Sequence, residues 1–155
     1  MKHIKRVLAS ILIAAALISL LCTAVFAKDV SSEVINILDD GSYFVITISE
    51  DNPVAARAVS SAFSKTGSKT YSYYSGSDEL LWVLRVHGTF TYDGSSAEAT
   101  DADYSYEVYS SDWSFVSGSA SYSGATATAS GRFKHGLFPT NATVSLTCSP
   151  SGKLS

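Results

Sequence analysis

The thirteen residues 80–92 constrain the fold of this chain more than any other segment, because apolar and polar side chains alternate along them. One face is apolar and consists of Leu80, Trp82, Leu84, Val86, Phe90 and Tyr92, with Gly88 between them. The other face carries Arg85, His87, Thr89 and Thr91. Side chains of a β-strand point alternately to the two faces of a sheet, so this period of two predicts a half-buried strand. A strand of this length usually bends, and we expect the bulge or kink at Gly88.

Further segments follow the same pattern. Residues 125–134 and 142–148 alternate small apolar with polar side chains, and residues 71–75, 104–110 and 113–122 are rich in strand-forming residues. Turn residues separate these segments: Gly76-Ser77-Asp78, Asp93-Gly94, Ser123-Gly124 and His135-Gly136. The pattern predicts an all-β fold, an antiparallel β-sandwich with an immunoglobulin-like arrangement of about six to eight strands. A small β-barrel is the alternative.

The first 27 residues have the composition of a signal peptide. Residues 1–6 are positively charged, residues 7–21 are apolar apart from two serines, and Ala24-Val25-Phe26-Ala27 follows. We expect cleavage between Ala27 and Lys28 and a secreted, extracellular protein. A retained membrane anchor would need a longer apolar span. A lipoprotein attached at Cys22 is a weaker alternative, because Leu21 is larger than the residue that usually precedes a lipidated cysteine.

The region after the signal peptide divides into two parts. Residues 34–38 and 43–49, joined by Asp39-Asp40-Gly41-Ser42, predict a hairpin, and an isolated hairpin is only marginally stable in water. We therefore expect it to dock on the main sheet, to pair elsewhere or to be removed. Residues 50–69 have the composition of a linker. The predicted divisions are a signal peptide over 1–27, a hairpin and linker over 28–67, and a β-sandwich domain over 68–155.

Charge and cysteine content exclude several classes of protein. The signal segment holds three of the 11 Lys and Arg residues and none of the 14 acids, so the remaining chain carries eight basic and 14 acidic residues. Such an acidic chain is a poor candidate for nucleic-acid binding. Its longest apolar run, residues 80–84, is too short for a membrane span. One cysteine, Cys148, cannot form a disulfide framework or a multi-cysteine metal site.

Several motifs resemble those of a group of small secreted proteins of Gram-positive bacteria. They are Leu38-Asp39-Asp40-Gly41-Ser42-Tyr43, Ser68-Lys69-Thr70, Leu81-Trp82-Val83-Leu84, Gly88-Thr89-Phe90-Thr91-Tyr92-Asp93-Gly94, Trp113 and Ser145-Leu146-Thr147-Cys148-Ser149. The resemblance implies a secreted, all-β protein and assigns no function or catalytic residue. Members of this group often have a second cysteine near the position of Ala99, and this chain lacks it.

The aromatic residues are the main candidates for ligand contact. All nine tyrosines follow the signal segment, among many serines. Tyrosine offers a rigid contact area and serine adaptable hydrogen bonds, as in many binding surfaces, and aromatic faces also suit sugar rings. The candidate contacts are Tyr71, Tyr73, Tyr104, Tyr106 and Trp113. The alternative is that these side chains only fill half-buried sheet positions.

The remaining candidates for chemistry have structural explanations. Cys148 alternates with Val144 and Leu146, which predicts a buried, inert thiol, with a Cys148-linked dimer as the weaker alternative. His87 and His135 belong to no catalytic or metal-binding motif. The acids Asp93, Glu98, Asp101 and Asp103 match no calcium loop and predict a solvated surface. We expect no catalytic residue, no metal and no cofactor.

A non-catalytic extracellular module that binds a glycan, a cell-wall polymer or a protein is the function that remains. The alternatives are a secreted effector, either antimicrobial or inhibitory, and an extracellular hydrolase. The chain ends at Leu154-Ser155 without a sorting tail, so we expect release from the cell or noncovalent retention. After signal removal we expect no membrane span and no nucleic-acid partner.

Overall fold

A computed structural model describes residues 30–51 and 62–155. The predicted signal segment, Cys22 and the predicted cleavage site between Ala27 and Lys28 lie outside these residues. Eight strands are present: β1 Val30–Ile37, β2 Tyr43–Glu50, β3 Phe63–Tyr74, β4 Leu80–Tyr92, β5 Ala97–Val108, β6 Trp113–Ser123, β7 Thr126–His135 and β8 Phe138–Thr147. No helix long and apolar enough to cross a membrane occurs among the described residues.

The strands form two antiparallel sheets that pack as a sandwich. The first sheet has the order β1-β2-β3-β4-β5 and the second the order β6-β7-β8. The prediction of an all-β antiparallel sandwich is confirmed. The four predicted turns are also present, and each contains a residue with positive φ: Asp78, Gly94, Gly124 or Gly136. Within each sheet the strands follow chain order. This connectivity differs from the Greek key of immunoglobulin domains, in which consecutive strands change sheets.

The core lies between β4 of the first sheet and the three strands of the second. It consists mainly of Trp82, Leu84, Val86 and Phe90 from β4, Ala127, Ala129 and Phe133 from β7, and Val144 and Leu146 from β8. Trp82 and Phe133 stack across the two sheets with ring centroids 4.0 Å apart. The apolar face that the sequence predicts for residues 80–92 is therefore the face that meets the second sheet, except at Leu80: the register shifts between Tyr73 and Tyr74, and Leu81 packs against the core instead.

The N-terminal hairpin belongs to the first sheet. Strand β2 pairs with β3 from Tyr43↔Tyr74 to Glu50↔Gly67, and Phe44 joins the core. Strand β3 begins at Phe63, whereas the sequence analysis placed residues up to 67 in the linker. Of the three outcomes expected for the hairpin, the structure has it docked on the main sheet. Pairing with β3 satisfies the backbone groups that an isolated hairpin leaves open.

A bulge lies beside Gly88, but close packing rather than the bulge explains the glycine at this position. The register between β4 and β5 shifts between Thr89 and Phe90, and Thr100 is the extra residue in β5. A Cβ atom at Gly88 would lie 2.6 Å from the Phe90 ring and 3.0 Å from Ala127 Cβ. The bulge is therefore in the neighbouring strand, and glycine is required at 88 because the two sheets approach each other closely there.

Candidate functional site

The outer face of the second sheet is covered by hydroxyl side chains. Strand register aligns them in rows that cross β6, β7 and β8, because residues directly opposite in antiparallel strands share a face. Three rows consist only of hydroxyls: Ser119-Ser130-Thr143, Ser121-Thr128-Ser145 and Ser123-Thr126-Thr147. The next row is Ser117-Arg132-Asn141. These four rows contain only hydroxyl, amide and basic side chains, whereas the opposite face of the same sheet forms the core.

Neighbouring hydroxyls on β7 and β8 are hydrogen-bonded to each other. The oxygen–oxygen distances are 3.0 Å for Thr126–Thr147, 3.0 Å for Thr128–Ser145 and 3.2 Å for Ser130–Thr143. A hydroxyl has one proton to donate and two lone pairs that accept. Each pair therefore uses one donor and one acceptor and keeps further capacity for an external partner.

An open groove of about 410 Å³ runs across the three strands of this face. Its polar lining consists of Ser117, Ser119, Ser130, Arg132, Asn141 and Thr143. Backbone of Gly118, Gly131 and Ala142, which form one row on the inner side of the sheet, completes the lining. We call this feature the hydroxyl groove.

The two sheets pack closely beneath the hydroxyl groove. A Cβ atom at Gly118 would lie 2.7 Å from the Tyr104 ring, and one at Gly131 would lie 3.1 Å from Leu84 Cδ1. Large side chains of the first sheet thus press directly on the backbone of the second. Because this row faces the first sheet, the outer surface between the rows Ser117-Arg132-Asn141 and Ser119-Ser130-Thr143 is formed by backbone.

The charges near the hydroxyl groove are positive. All 14 Asp and Glu residues of the chain lie at or before Asp112, so residues 113–155 contain no acid. Arg132 lines the groove, and Lys134 lies on the same face two residues further along β7, which is about 7 Å away. Both are exposed, and no described acidic residue forms an ion pair with either.

The outer face of the first sheet has the opposite charge. Strand β5 exposes Glu98, Asp101, Asp103 and Glu107 on this face. Its one arginine, Arg85, donates from Nε to Thr70 Oγ1 at 2.9 Å. The two outer faces of the sandwich therefore differ in the sign of their charge, although both are rich in hydroxyls.

The structure places two of the predicted ligand contacts, Tyr73 and Tyr71, against the core. The side chain of Tyr73 is 8% exposed, packs against Trp82 and donates from its hydroxyl to Ser42 Oγ at 2.9 Å. Tyr71 is half-buried and stacks on Phe44, and burial raises its pKa above the ordinary tyrosine value. Both side chains point inward because β3 aligns them with Trp82 and Leu84 of the core face.

The other three predicted contacts lie around the edge of the core. Tyr106 is 44% exposed and stacks on Phe115, with ring centroids 3.5 Å apart. Tyr104 is half-buried beside the same ring. Trp113 is half-buried between Tyr73 and His135. None of these aromatics lines the hydroxyl groove, and ligand contact by Tyr71, Tyr104, Tyr106 or Trp113 stays a prediction.

Three tyrosines that the sequence analysis did not select lie on the outer face of the first sheet. Tyr43 and Tyr74 stack in parallel at 5.0 Å, and the Tyr43 hydroxyl donates to Asp78 Oδ1 at 2.9 Å, which raises the pKa of Tyr43. Tyr109 is 55% exposed, and its hydrogen bond to Glu107 raises its pKa. The register of β2 against β3, which places Tyr43 opposite Tyr74, is a long-range property that a single segment does not encode.

The remaining candidates keep structural roles. Cys148 is a free thiol that is 1% exposed, as predicted, and burial raises its pKa. His87 Nε2 lies 3.2 Å from Ser105 Oγ on the outer face of the first sheet.

Asp93 accepts hydrogen bonds from the backbone and hydroxyl groups of Ser95 and Ser96. These hydrogen bonds lower the pKa of Asp93 and fix the β4–β5 turn. Within residues 30–51 and 62–155, no three His, Cys, Asp or Glu side chains cluster as metal ligands.

The fold and the site together define a small antiparallel β-sandwich protein with a polar groove on one sheet. No protein-family model matches the chain, and no curated protein matches it. Among solved structures, it is similar to the crystal structure of a hypothetical protein from Listeria monocytogenes EGD-e. The two share 17% sequence identity and a TM-score of 0.43, over 81% of this chain and 89% of that chain.

Proposed function

We propose that this protein is a secreted, non-catalytic binding module that holds a glycan in the hydroxyl groove. The observation that carries the proposal is the groove itself, about 410 Å³ in volume and lined by polar side chains from all three strands of the second sheet. Its volume lies within the range of about 300–1,000 Å³ that is usual for ligand sites. Most such sites have an apolar lining, so the polar lining here selects a polar ligand.

The chemistry of the lining matches the chemistry of a glycan. Sugar hydroxyls, like those of Ser119, Ser130 and Thr143, both donate and accept hydrogen bonds. A ligand hydroxyl can therefore add to the paired Ser130–Thr143 hydroxyls without leaving either of them unsatisfied. Because the groove is open rather than enclosed, an extended chain can lie across it, and its end need not be bound.

The sequence of the first 27 residues supports the extracellular part of the proposal. Its positive start, apolar centre and Ala-Val-Phe-Ala ending are those of a cleaved secretory signal. Glycans and cell-wall polymers are the abundant extended polymers that such a protein meets after export.

Co-sedimentation with insoluble polysaccharides and peptidoglycan tests the function. We expect the secreted chain, residues 28–155, to bind saturably to at least one of these polymers. Thr143→Val keeps the shape of the side chain and removes a groove hydroxyl, so we expect affinity to fall about threefold to tenfold, as for the loss of one or two hydrogen bonds.

Thr66→Val is the matched control. Thr66 is an exposed strand residue on the outer face of the first sheet, so the same change there removes a hydroxyl far from the groove. We expect it to bind like the unmodified protein. Equal losses in the two variants, or no binding to any polymer, would exclude the hydroxyl groove as a glycan site.

A further inference from the structure

We infer that the polymer held in the hydroxyl groove is anionic, a polysaccharide or polyol chain whose carboxylate or phosphate groups pair with Arg132. This inference rests on the proposed function and adds the charge of the ligand to it. The observations that carry it are the position of Arg132 in the groove, the absence of a described acidic partner for it, and the segregation of charge between the two sheets.

Arg132 is placed to contact a ligand rather than the protein. It lies on the central strand β7, opposite Ser117 on β6 and Asn141 on β8, in the middle of the groove lining. Two other basic side chains of the described strands are engaged by the protein, since Lys65 pairs with Glu50 and Arg85 bonds to Thr70. A guanidinium has five donors in a planar fork that fits a carboxylate or a phosphate. Arg132 therefore offers an unused anion-binding group inside a polar groove.

The distribution of charge over the whole chain favours the same ligand. Residues 113–155 carry Arg132, Lys134 and Lys153 and no acid, although the protein as a whole has a net charge of −3. Four carboxylates on β5 make the outer face of the first sheet unfavourable for an anion. An anionic polymer is thus repelled by one face and attracted to the other, which directs it to the hydroxyl groove.

The surroundings of Arg132 favour a hydroxyl-bearing anion over a nucleic acid. Single-stranded nucleic acids are usually bound by many basic side chains together with aromatic side chains on which bases stack. The groove lining contains one basic side chain and no aromatic one, and its other polar groups are hydroxyls and one amide. A hydroxylated polymer with widely spaced charges matches this composition.

Calorimetric titration with three soluble polymers tests the inference: polygalacturonate for carboxylates, a glycerol-phosphate polymer for phosphates, and dextran as the neutral control. We expect at least one anionic polymer to bind about tenfold or more tightly than dextran, as for a charge-assisted hydrogen bond. Raising the salt concentration from about 50 to about 200 mM should weaken binding of the anionic polymer and leave dextran unaffected. The polymer that binds identifies whether the charge is a carboxylate or a phosphate.

Two variants with the same change in net charge separate local from global effects. Arg132→Gln should reduce affinity for the anionic polymer about tenfold or more and abolish its salt dependence. Lys153→Gln removes a positive charge from the same acid-free segment but outside the groove, and it should bind within about twofold of the unmodified protein. Because Arg132 is exposed, its substitution should leave the urea midpoint of unfolding unchanged.

The outcomes distinguish this inference from the proposed function. If dextran and the anionic polymers bind equally and Arg132→Gln has no effect, the inference is wrong and glycan binding stands. Equal losses in Arg132→Gln and Lys153→Gln would also overturn the inference, because the effect would then come from net charge alone. If none of these polymers nor the insoluble glycans binds, both proposals are wrong.

Discussion

Cys148 follows β8 and lies against the core, where its sulfur is shielded from solvent. Its sulfhydryl donates to the carbonyl oxygen of Ser149 at 3.4 Å, and burial raises the pKa of the thiol. The reactive species of a cysteine is the thiolate, and a buried site disfavours that charged form. The position of Cys148 therefore makes it a packing residue in a protein whose predicted destination is oxidising.

We expect Cys148 to react with a thiol reagent at pH 8 much more slowly in the folded protein than in urea. The matched control combines Cys148→Ala with Ser151→Cys, which moves the only mature thiol to an exposed position in the same turn. The control should react at a similar rate with and without urea. Rapid labelling of folded Cys148, or a disulfide-linked dimer on a non-reducing gel, would contradict its burial.

The raised pKa of Cys148 also predicts the sign of a pH effect on stability. The thiol holds its proton more tightly in the folded protein than in the unfolded chain. Its contribution to the free energy of unfolding is therefore complete below the unfolded pKa, about 8.5, and is lost as the pH rises through the folded pKa. We therefore expect the urea midpoint to fall above about pH 8.5, and to fall less in Cys148→Ala. An equal fall in both proteins would assign the effect to other groups.

At the scale of elements, the shape of the second sheet depends on one inner row, Gly118-Gly131-Ala142. A side chain at Gly118 would occupy space that Tyr104 fills, and one at Gly131 would occupy space that Leu84 fills. Strand β6 also has a register shift between Phe115 and Ser117, with Val116 as the extra residue, directly before this row. Such a bulge increases the local bend of a strand. The close packing at Gly118 and the bulge at Val116 therefore lie next to each other on β6.

Gly118→Val tests this packing. Its Cβ would lie 2.7 Å from the Tyr104 ring and 2.9 Å from Phe115 Cζ, so we expect the free energy of unfolding to fall by about 1–3 kcal/mol. Ser119→Val, which places the same side chain one residue later on the exposed outer face, should change it by less than about 0.5 kcal/mol. Urea denaturation followed by tryptophan fluorescence measures both. Equal stability of the two variants would show that the sheets do not meet at Gly118.

At the scale of the whole molecule, charge and topology coincide. Because each sheet is built from consecutive strands, a segregation of charge along the chain becomes a segregation between the two faces of the sandwich. All the acids precede β6, so every one of them lies outside the second sheet. A Greek key, which interleaves strands of the two sheets, would have mixed the same charges on both faces.

Export of the whole molecule predicts a defined N-terminus. We expect the protein recovered from the medium to begin at Lys28, and intact mass measures this directly. Ala27→Leu places a large residue directly before the predicted cut and should leave the precursor uncleaved. Ala24→Leu is the control and should be processed normally, because a signal peptidase recognises the positions of Val25 and Ala27 but not that of Ala24. A mature protein that retained Cys22 with a lipid would contradict this prediction.

The sequence by itself determined the all-β class, the turns and the two faces of the strands with the clearest alternation, although β3 and β5 begin earlier, at Phe63 and Ala97, than the pattern predicts. The alternation at 80–92 identified the core face of β4, and that at 125–134 identified both the core face of β7 and the polar face that carries Ser130 and Arg132. The acid-free segment after Asp112 is also visible in the sequence. These features are local, because a side chain's face depends only on its position within its own strand.

Only the tertiary structure decided which polar and aromatic side chains come together. Tyr73 and Tyr106 occur in similar Tyr-Ser-rich segments, but Tyr73 is buried among Phe44, Trp82 and Trp113, whereas Tyr106 lies on the edge strand β5 and is 44% exposed. The hydroxyl groove likewise requires β6, β7 and β8 to pair in one register, which aligns its polar side chains across the three strands. Pairing and packing depend on partners distant in the chain, and for this reason alternation within one strand could not reveal the groove.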